Sequence, residues 1–237
     1  VTESAAPQVW VVVPAAGGSL RFGGGVSKQY RLLGGQPLLL RTLSRLASHP
    51  RVAGLVVVIH RTDELWPGLD VCEGKPVIST VGGSERWLSV RNGLDVLPDS
   101  VAKDDWVLVH DAARPCVRHE HITRLLEEGW GHPVGAVLGV PARDTLKTVD
   151  ASHTVLGTLD RDPIWHAQTP QMFRRGVLSR ALAGCGPVSD EAGAMEAIGK
   201  MPVFVEGSTD NLKVTFPDDL TLAEYYLDRQ ATEQATE

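Results

Sequence analysis

A chain of 237 residues with 43% hydrophobic content can bury one sizeable core, and we read one domain across 1–237. Its formal net charge of -6 argues against non-specific nucleic-acid binding, so any basic residues that matter should act locally on a small anionic ligand. Cys72, Cys116 and Cys185 are far apart and odd in number, which excludes a metal-binding spacing and a paired disulfide framework and points to reduced, cytosolic thiols.

The apolar run Val9–Val13 predicts a buried strand at the start of the chain, with no basic region before it to mark a signal peptide. No apolar run approaches the ~20 residues of a membrane span, so a soluble, cytoplasmic protein with no membrane partner is expected. The strand runs into Pro14-Ala15-Ala16-Gly17-Gly18-Ser19-Leu20-Arg21-Phe22-Gly23-Gly24-Gly25-Val26-Ser27-Lys28-Gln29-Tyr30. Small residues let backbone N–H groups close on an anion, and Arg21 and Lys28 add positive charge, which together read as a triphosphate cradle. A ligand-free surface loop would be glycine-rich too. The stretch matches neither of two common phosphate loops. Gly17 and Gly18 are adjacent with Ser19 in place of a spaced glycine, and Lys28 lies between Ser27 and Gln29 rather than in Gly-Lys-Ser.

Leu39, Leu43, Leu46 and Ala47 recur at helical spacing until His49-Pro50, and Gly54–Ile59 then reads as a strand buried on both faces. Val77–Val81 repeats the strand signal, followed by Gly82-Gly83-Ser84-Glu85-Arg86 and a helix presenting Val90, Leu94 and Leu97. Trp106–Val109 is a fourth strand, ending in His110-Asp111-Ala112-Ala113-Arg114-Pro115, and a helix with Ile122, Leu125 and Leu126 leads to the strand Val134–Val140. This rhythm predicts an α/β fold with a mostly parallel sheet, whose strand ends bring the Gly17, Gly82 and Asp111 loops onto one rim. Between 141 and 162 the rhythm changes: Thr145–Val149 and Val155–Leu159 flank a five-residue turn and predict a projecting β-hairpin arm. Ser189 is placed as the N-cap of a helix reaching Gly199, Val203–Val205 and Leu212–Thr215 as short strands, and Pro217-Asp218-Asp219 as the start of the last helix. The tail from Gln230 to Glu237 has little to bury and is expected to fray.

Asp111, ending a buried strand, is the leading carboxylate for Mg²⁺ or substrate hydroxyls, although a turn aspartate would sit there as well. Asp210 precedes Asn211-Leu212-Lys213 and could complete a metal site. Arg114, Arg143, Arg161 and Lys213 lie in loops or at strand ends, free to reach an anion, and their number matters more than any one of them. His119-Glu120-His121 lacks the zinc-protease spacing and reads as an exposed helix start. No Gly-x-Ser-x-Gly occurs, and Trp165-His166 reads as carrying a packed histidine rather than a base.

Six motifs in order resemble the 2-C-methyl-D-erythritol 4-phosphate cytidylyltransferase family. They are Pro14-Ala15-Ala16-Gly17 with Arg21 and Lys28-Gln29-Tyr30, His110–Pro115, Arg143-Asp144-Thr145-Leu146-Lys147, Gln168-Thr169-Pro170-Gln171, Ser189-Asp190-Glu191, and Asp210–Thr215. The resemblance runs from about Val9 to Tyr226 and implies a Rossmann-like nucleotidyltransferase fold and a homodimer built through the hairpin arm. It implies that CTP and 2-C-methyl-D-erythritol 4-phosphate are joined with Mg²⁺, giving 4-diphosphocytidyl-2-C-methyl-D-erythritol and pyrophosphate. By motif, Arg21, Lys28 and Lys213 would act on the phosphates, with Ala15, Ala16, Gly17, Gly82, Ser84, Ser89 and Asp111 around the nucleotide. Asp111, Arg114 and Ser189 would meet the acceptor, whose phosphate Thr145 and Arg161 would bind from the partner subunit, and Asp111 and Asp210 would face the metal.

Departures are local: Ser19 and Ser27 stand where the family usually has glycine and proline, and Ser84 where it has aspartate. These bear on the rigidity of the loop and on cytosine recognition, and they remove no charged catalytic group. Two other readings stay open, a ribitol 5-phosphate cytidylyltransferase and a nucleotide-binding module without catalysis. Apart from the resemblance, two anions meeting in line at a phosphorus need positioning and positive charge rather than a protein nucleophile, which suits a site rich in Arg and Lys.

Overall fold

In the computed structural model, residues 8–17 and 27–234 are described. The chain opens with β1 (Val9–Pro14), the short pair β2 (Leu32–Leu33) and β3 (Gln36–Pro37), then α1 (Leu38–Ala47) and β4 (Val52–Ile59). A two-residue β5 (Val71–Cys72) leads into β6 (Lys75–Val81), α2 (Arg86–Asp95), β7 (Trp106–Val109), α3 (His119–Trp130) and β8 (Gly135–Pro141). The second half contains the hairpin β9 (Leu146–Val149) and β10 (Val155–Leu159), then β11 (Trp165–Arg174), α4 (Arg175–Gly184), α5 (Glu191–Ala197), β12 (Val203–Glu206) and α6 (Asp218–Gln234).

Eight strands form one sheet in the order β12-β8-β11-β7-β1-β4-β6-β5. The pairs β1–β4, β1–β7, β4–β6 and β8–β12 are parallel, as the alternation of strand and helix predicts. The departures are the two-residue edge strand β5, antiparallel to β6, and β11, which enters antiparallel between β7 and β8 and was not legible as a strand.

Strand periodicity decides which helix covers which residue. Val11, Val13, Leu55, Val57 and Leu108 point to the face covered by α1 and α3, against Leu43, Leu46, Ile122 and Leu125. Val12, Val56, Val58, Val107 and Val109 point to the other, against Val90 and Leu94 of α2 and Leu178 and Leu182 of α4. With both faces covered, the central strands are continuously apolar and the polar chemistry is left to their ends.

Three local expectations are corrected. Leu212–Thr215 is not a strand but an irregular segment tied down by Val214 N–H donating to Ala113 O at 2.8 Å. α5 is capped by Asp190, one residue after Ser189, through a bond from Gly193 N–H. Nor does the tail fray from Gln230. α6 continues to Gln234, and the Gln230 side chain is buried, donating to Cys116 O at 3.0 Å and Asp210 Oδ2 at 3.1 Å. No helix among the described residues is long and apolar enough to cross a membrane.

Candidate active site

The loops following β1, β6 and β7 meet over the carboxyl ends of their strands. Each begins by extending the strand pairing: Ala15 N–H donates to Val58 O at 2.7 Å, Gly82 N–H to Ile59 O at 2.8 Å and His110 N–H to Val12 O at 2.9 Å. They enclose a cavity of about 330 Å³ walled by 14–17, 83–86 and 111–113, with Lys28 and Lys213 at its rim. Gly82 lets two of the walls meet. A Cβ there would lie 2.4 Å from Ala16 Cβ and 2.6 Å from Ser89 Oγ. Ser89 Oγ accepts from Gly83 N–H at 3.2 Å and donates to Glu85 O at 3.1 Å, so the glycine turn is fastened to the first turn of α2. The buried Gln29 donates to Ala15 O at 3.0 Å and fixes the opposite wall.

A second cavity of about 220 Å³ abuts the first and shares Arg86, Asp111 and Lys213 with it, adding Arg114, Thr169 and Ser189. Asp111 stands at the junction. Its Oδ1 accepts from Arg86 Nε at 3.1 Å, and its Oδ2 lies 2.8 Å from Lys213 Nζ and 3.7 Å from Arg114 Nε. Burial alone would raise this carboxyl, but Arg86, Lys213 and Arg114 outweigh burial and hold it well below the usual carboxylate range. Asp111 is therefore an anion at any physiological pH.

The cations are set by long-range contacts. Asn211, fully buried, donates to Thr169 O at 2.9 Å, and Arg114 Nη1 donates to Asn211 O at 2.6 Å, which fixes the segment carrying Lys213. Lys28 Nζ donates to Val214 O at 2.7 Å, bringing the two lysines to one rim from 185 positions apart in the chain (213 minus 28). Behind them, His110 Nε2 lies 3.0 Å from Arg114 O and Nδ1 lies 3.1 Å from Thr169 Oγ1, whose oxygen accepts Asp111 N–H at 3.0 Å. A carbonyl can only accept, so Nε2 carries the proton and Nδ1 takes the threonine hydroxyl. Burial pushes this imidazole down to about 4, so it is neutral and serves as a strut.

Of the residues expected at the site, Ala15, Ala16, Gly17, Ser84 and Ser89 border the first cavity together with Lys28, Asp111 and Lys213, while Arg114 and Ser189 border the second. Gly82 stands behind the wall, and Arg21 lies outside the described residues. Thr145 and Arg161 are exposed at the base of the hairpin and border neither cavity. Arg161 Nη1 donates to Arg143 O, which closes the two ends together.

Asp210 is corrected: it borders neither cavity, and its Oδ2 accepts from Arg118 Nε at 2.7 Å and from Gln230, so that it staples α6 to the start of α3. Among the described residues no group of three or more His, Cys, Asp or Glu could hold a metal ion. His121 is buried rather than exposed at the start of α3, and His166 is exposed rather than packed. Sequence reasoning missed Arg86, Glu191, Asn211 and Thr169. Glu191, Asn211 and Thr169 lie inside the quoted motifs and Arg86 ends the Gly82–Arg86 loop, but nothing local distinguishes a buried strut from a surface polar residue.

A family model described as 2-C-methyl-D-erythritol 4-phosphate cytidylyltransferase (IspD) matches residues 9–229. The enzyme of that name from Stenotrophomonas maltophilia strain K279a is 51% identical over 227 residues, covering 94% of this chain and 98% of the relative. The enzyme of that name from Xanthomonas axonopodis pv. citri is 50% identical, covering 92% of this chain and 84% of the relative. Among solved structures, a 4-diphosphocytidyl-2C-methyl-D-erythritol synthase superposes with a TM-score of 0.82 at 34% identity, covering 94% of this chain and 99% of that one. The Francisella tularensis IspD superposes with a TM-score of 0.79 at 37% identity, over 92% of this chain and 99% of the other. The chain belongs to the 2-C-methyl-D-erythritol 4-phosphate cytidylyltransferase family.

Proposed function

We propose that the chain joins CTP to 2-C-methyl-D-erythritol 4-phosphate, releasing pyrophosphate, as a step of non-mevalonate isoprenoid synthesis. The observation that carries this reading is the pair of abutting cavities that share Asp111, Arg86 and Lys213, one walled by small residues and turns and the other by polar side chains. The nucleotide occupies the first and the acceptor the second. An acceptor phosphate oxygen forms a bond to the α-phosphorus of CTP while the bond to the β-phosphate oxygen breaks, and the electron pair leaves with pyrophosphate. Lys28 and Lys213 act on the charge that grows at the α-phosphate and the leaving group, and Arg21 is assigned to the same triphosphate. Ala15, Ala16, Gly17 and Ser84 are assigned to the nucleoside, which backbone groups can read by its pyrimidine edge. Arg114 and Ser189 are assigned to the acceptor.

Mg²⁺ is assigned to Asp111, because a hard cation that completes its shell with phosphate oxygens and water needs only one or two carboxylates, and this one borders both cavities, where it would share the carboxylate with Lys213 and Arg86. When bound it would offset phosphate charge. The test is pyrophosphate release with Mg²⁺ and each nucleotide and acceptor in turn. CTP with the methylerythritol phosphate is expected to lead. Preference for ribitol 5-phosphate, comparable turnover of ATP, or no turnover at all would each overturn the reading.

The active unit is assigned as a cytoplasmic homodimer of single-domain chains joined through the hairpin. β9 and β10 form a separate two-stranded sheet, and Val149, Val155, Leu156 and Leu159 are exposed on it. An isolated hairpin is marginal in water, and a symmetric partner is a common cover for such a surface. In that arrangement Thr145 and Arg161 clamp the acceptor phosphate in the neighbouring subunit's site. Mixing Lys28→Ala with Arg161→Ala under subunit exchange should then restore one intact site per mixed dimer, with activity above either parent. Activity held at the parental level, with exchange verified by mass, would refute the shared site.

A further inference from the structure

Glu191 has no exposed surface and borders neither cavity, yet it is one side chain away from Asp111. The guanidinium of Arg86 lies between them and uses two of its edges. Its Nη1 and Nη2 donate to Glu191 Oε1 at 2.6 Å and Oε2 at 3.1 Å, while Nε donates to Asp111 Oδ1 at 3.1 Å and Nη2 lies 3.0 Å from the same oxygen. A bidentate pairing fixes the plane of a guanidinium as well as its position.

The far end of this relay is itself locked. Gln171 of β11 donates to Asp190 Oδ2 at 2.9 Å and accepts from Ala192 N–H at 2.9 Å, while Asp190 Oδ1 accepts from Gly193 N–H at 2.9 Å. The first turn of α5, which carries Glu191, is thus tied to the centre of the sheet.

Two consequences follow from charge and geometry. Glu191 balances the charge of Arg86, so the negative charge of Asp111 is left for Lys213 and Arg114 on its Oδ2 side. Without Glu191, Arg86 would be held by a single carboxylate oxygen and could turn to take both oxygens of Asp111 or a phosphate. We infer that Glu191 is a positioning residue for the transfer: it fixes the Arg86 guanidinium on Asp111 Oδ1, so that Asp111 Oδ2 stays turned toward Lys213 at the junction of the two cavities. This rests on the cytidylyl-transfer reading.

The test uses the full chain with Glu191→Gln and, separately, Arg86→Lys, by steady-state kinetics with CTP and the methylerythritol phosphate and by crystallography without ligands. Loss of outer residues that orient an active group costs about 10–100-fold, and that fall is expected in kcat, with the KM for CTP moving by no more than about threefold. The Glu191→Gln crystal should show the Arg86 guanidinium turned from its present position, either off Asp111 or onto both of its oxygens, and Glu191→Asp, which keeps the charge, should recover part of kcat. A kcat within about threefold of the parent, a change confined to KM, or an undisplaced Arg86 would overturn the inference. Should Glu191→Gln not fold, Arg86→Lys keeps the charge and loses the planar fork, and a parental kcat there refutes the relay. A parent that releases no pyrophosphate refutes the transfer reading instead, and the crystal geometry still decides the positioning.

Discussion

Alanine in place of Lys213 or Lys28 is expected to lower kcat by about 10²–10³-fold while the fold survives. Lys213 is half-exposed, with its ammonium 2.8 Å from Asp111 Oδ2, so its removal disturbs no packed core but takes the nearer cation from that oxygen, Arg114 Nε lying 3.7 Å away. Such a donor is worth more in the transition state than in the ground state, because charge accumulates on phosphate oxygens as the bond to pyrophosphate breaks. The loss should therefore fall on kcat more than on KM. Lys28→Ala also removes the bond to Val214 O, so circular dichroism and a melting curve must accompany its kinetics. Near-parental turnover in either folded variant, followed as pyrophosphate release, would remove that lysine from its assigned role.

Gly135→Ala is expected to be severely destabilising, although Gly135 borders neither cavity. Gly135 begins β8 with φ at +134°, a region that side-chain-bearing residues avoid, and a Cβ there would lie 2.1 Å from Met172 O and 2.8 Å from Phe173 Cδ1. The nearest obstacle is backbone of β11, which is paired on its other edge with β7 and cannot retreat without breaking the centre of the sheet. Backbone strain plus this clash should cost ~3 kcal/mol or more, which for a chain of this size lowers the melting temperature by roughly 6–12 °C. Gly131→Ala is the control, since its φ is -81° and a Cβ there meets nothing within 4 Å. Equal melting temperatures for the two variants would refute the argument.

The strands β1, β4, β7 and β8 and the helices α1, α2 and α3 were legible because each is a local pattern: an apolar run, or apolar residues at helical spacing. The three loops at the carboxyl ends of β1, β6 and β7 followed from the parallel rhythm alone, and they do wall the first cavity. β11 escaped because Gln168, Thr169 and Gln171, all buried, look like loop residues in a sequence. They are buried to hold other polar groups, so their polarity is the cost of building the site and hides the strand that carries it.

What the sequence determined by itself is the α/β architecture, the rim on which chemistry occurs and the excess of cations there, since these depend on periodicity and on residue type near strand ends. What only the tertiary structure decided is which charges meet. Asp111 and Asp210 look alike in the sequence, each in a polar loop near basic residues, yet one joins both cavities and the other staples α6 to α3. Arg86 and Glu191, 105 residues apart, become one ion pair through the packing of α2 and α5 on the same face of the sheet. Ion pairing depends on a few ångströms of separation and on burial, and neither is a property of neighbouring letters.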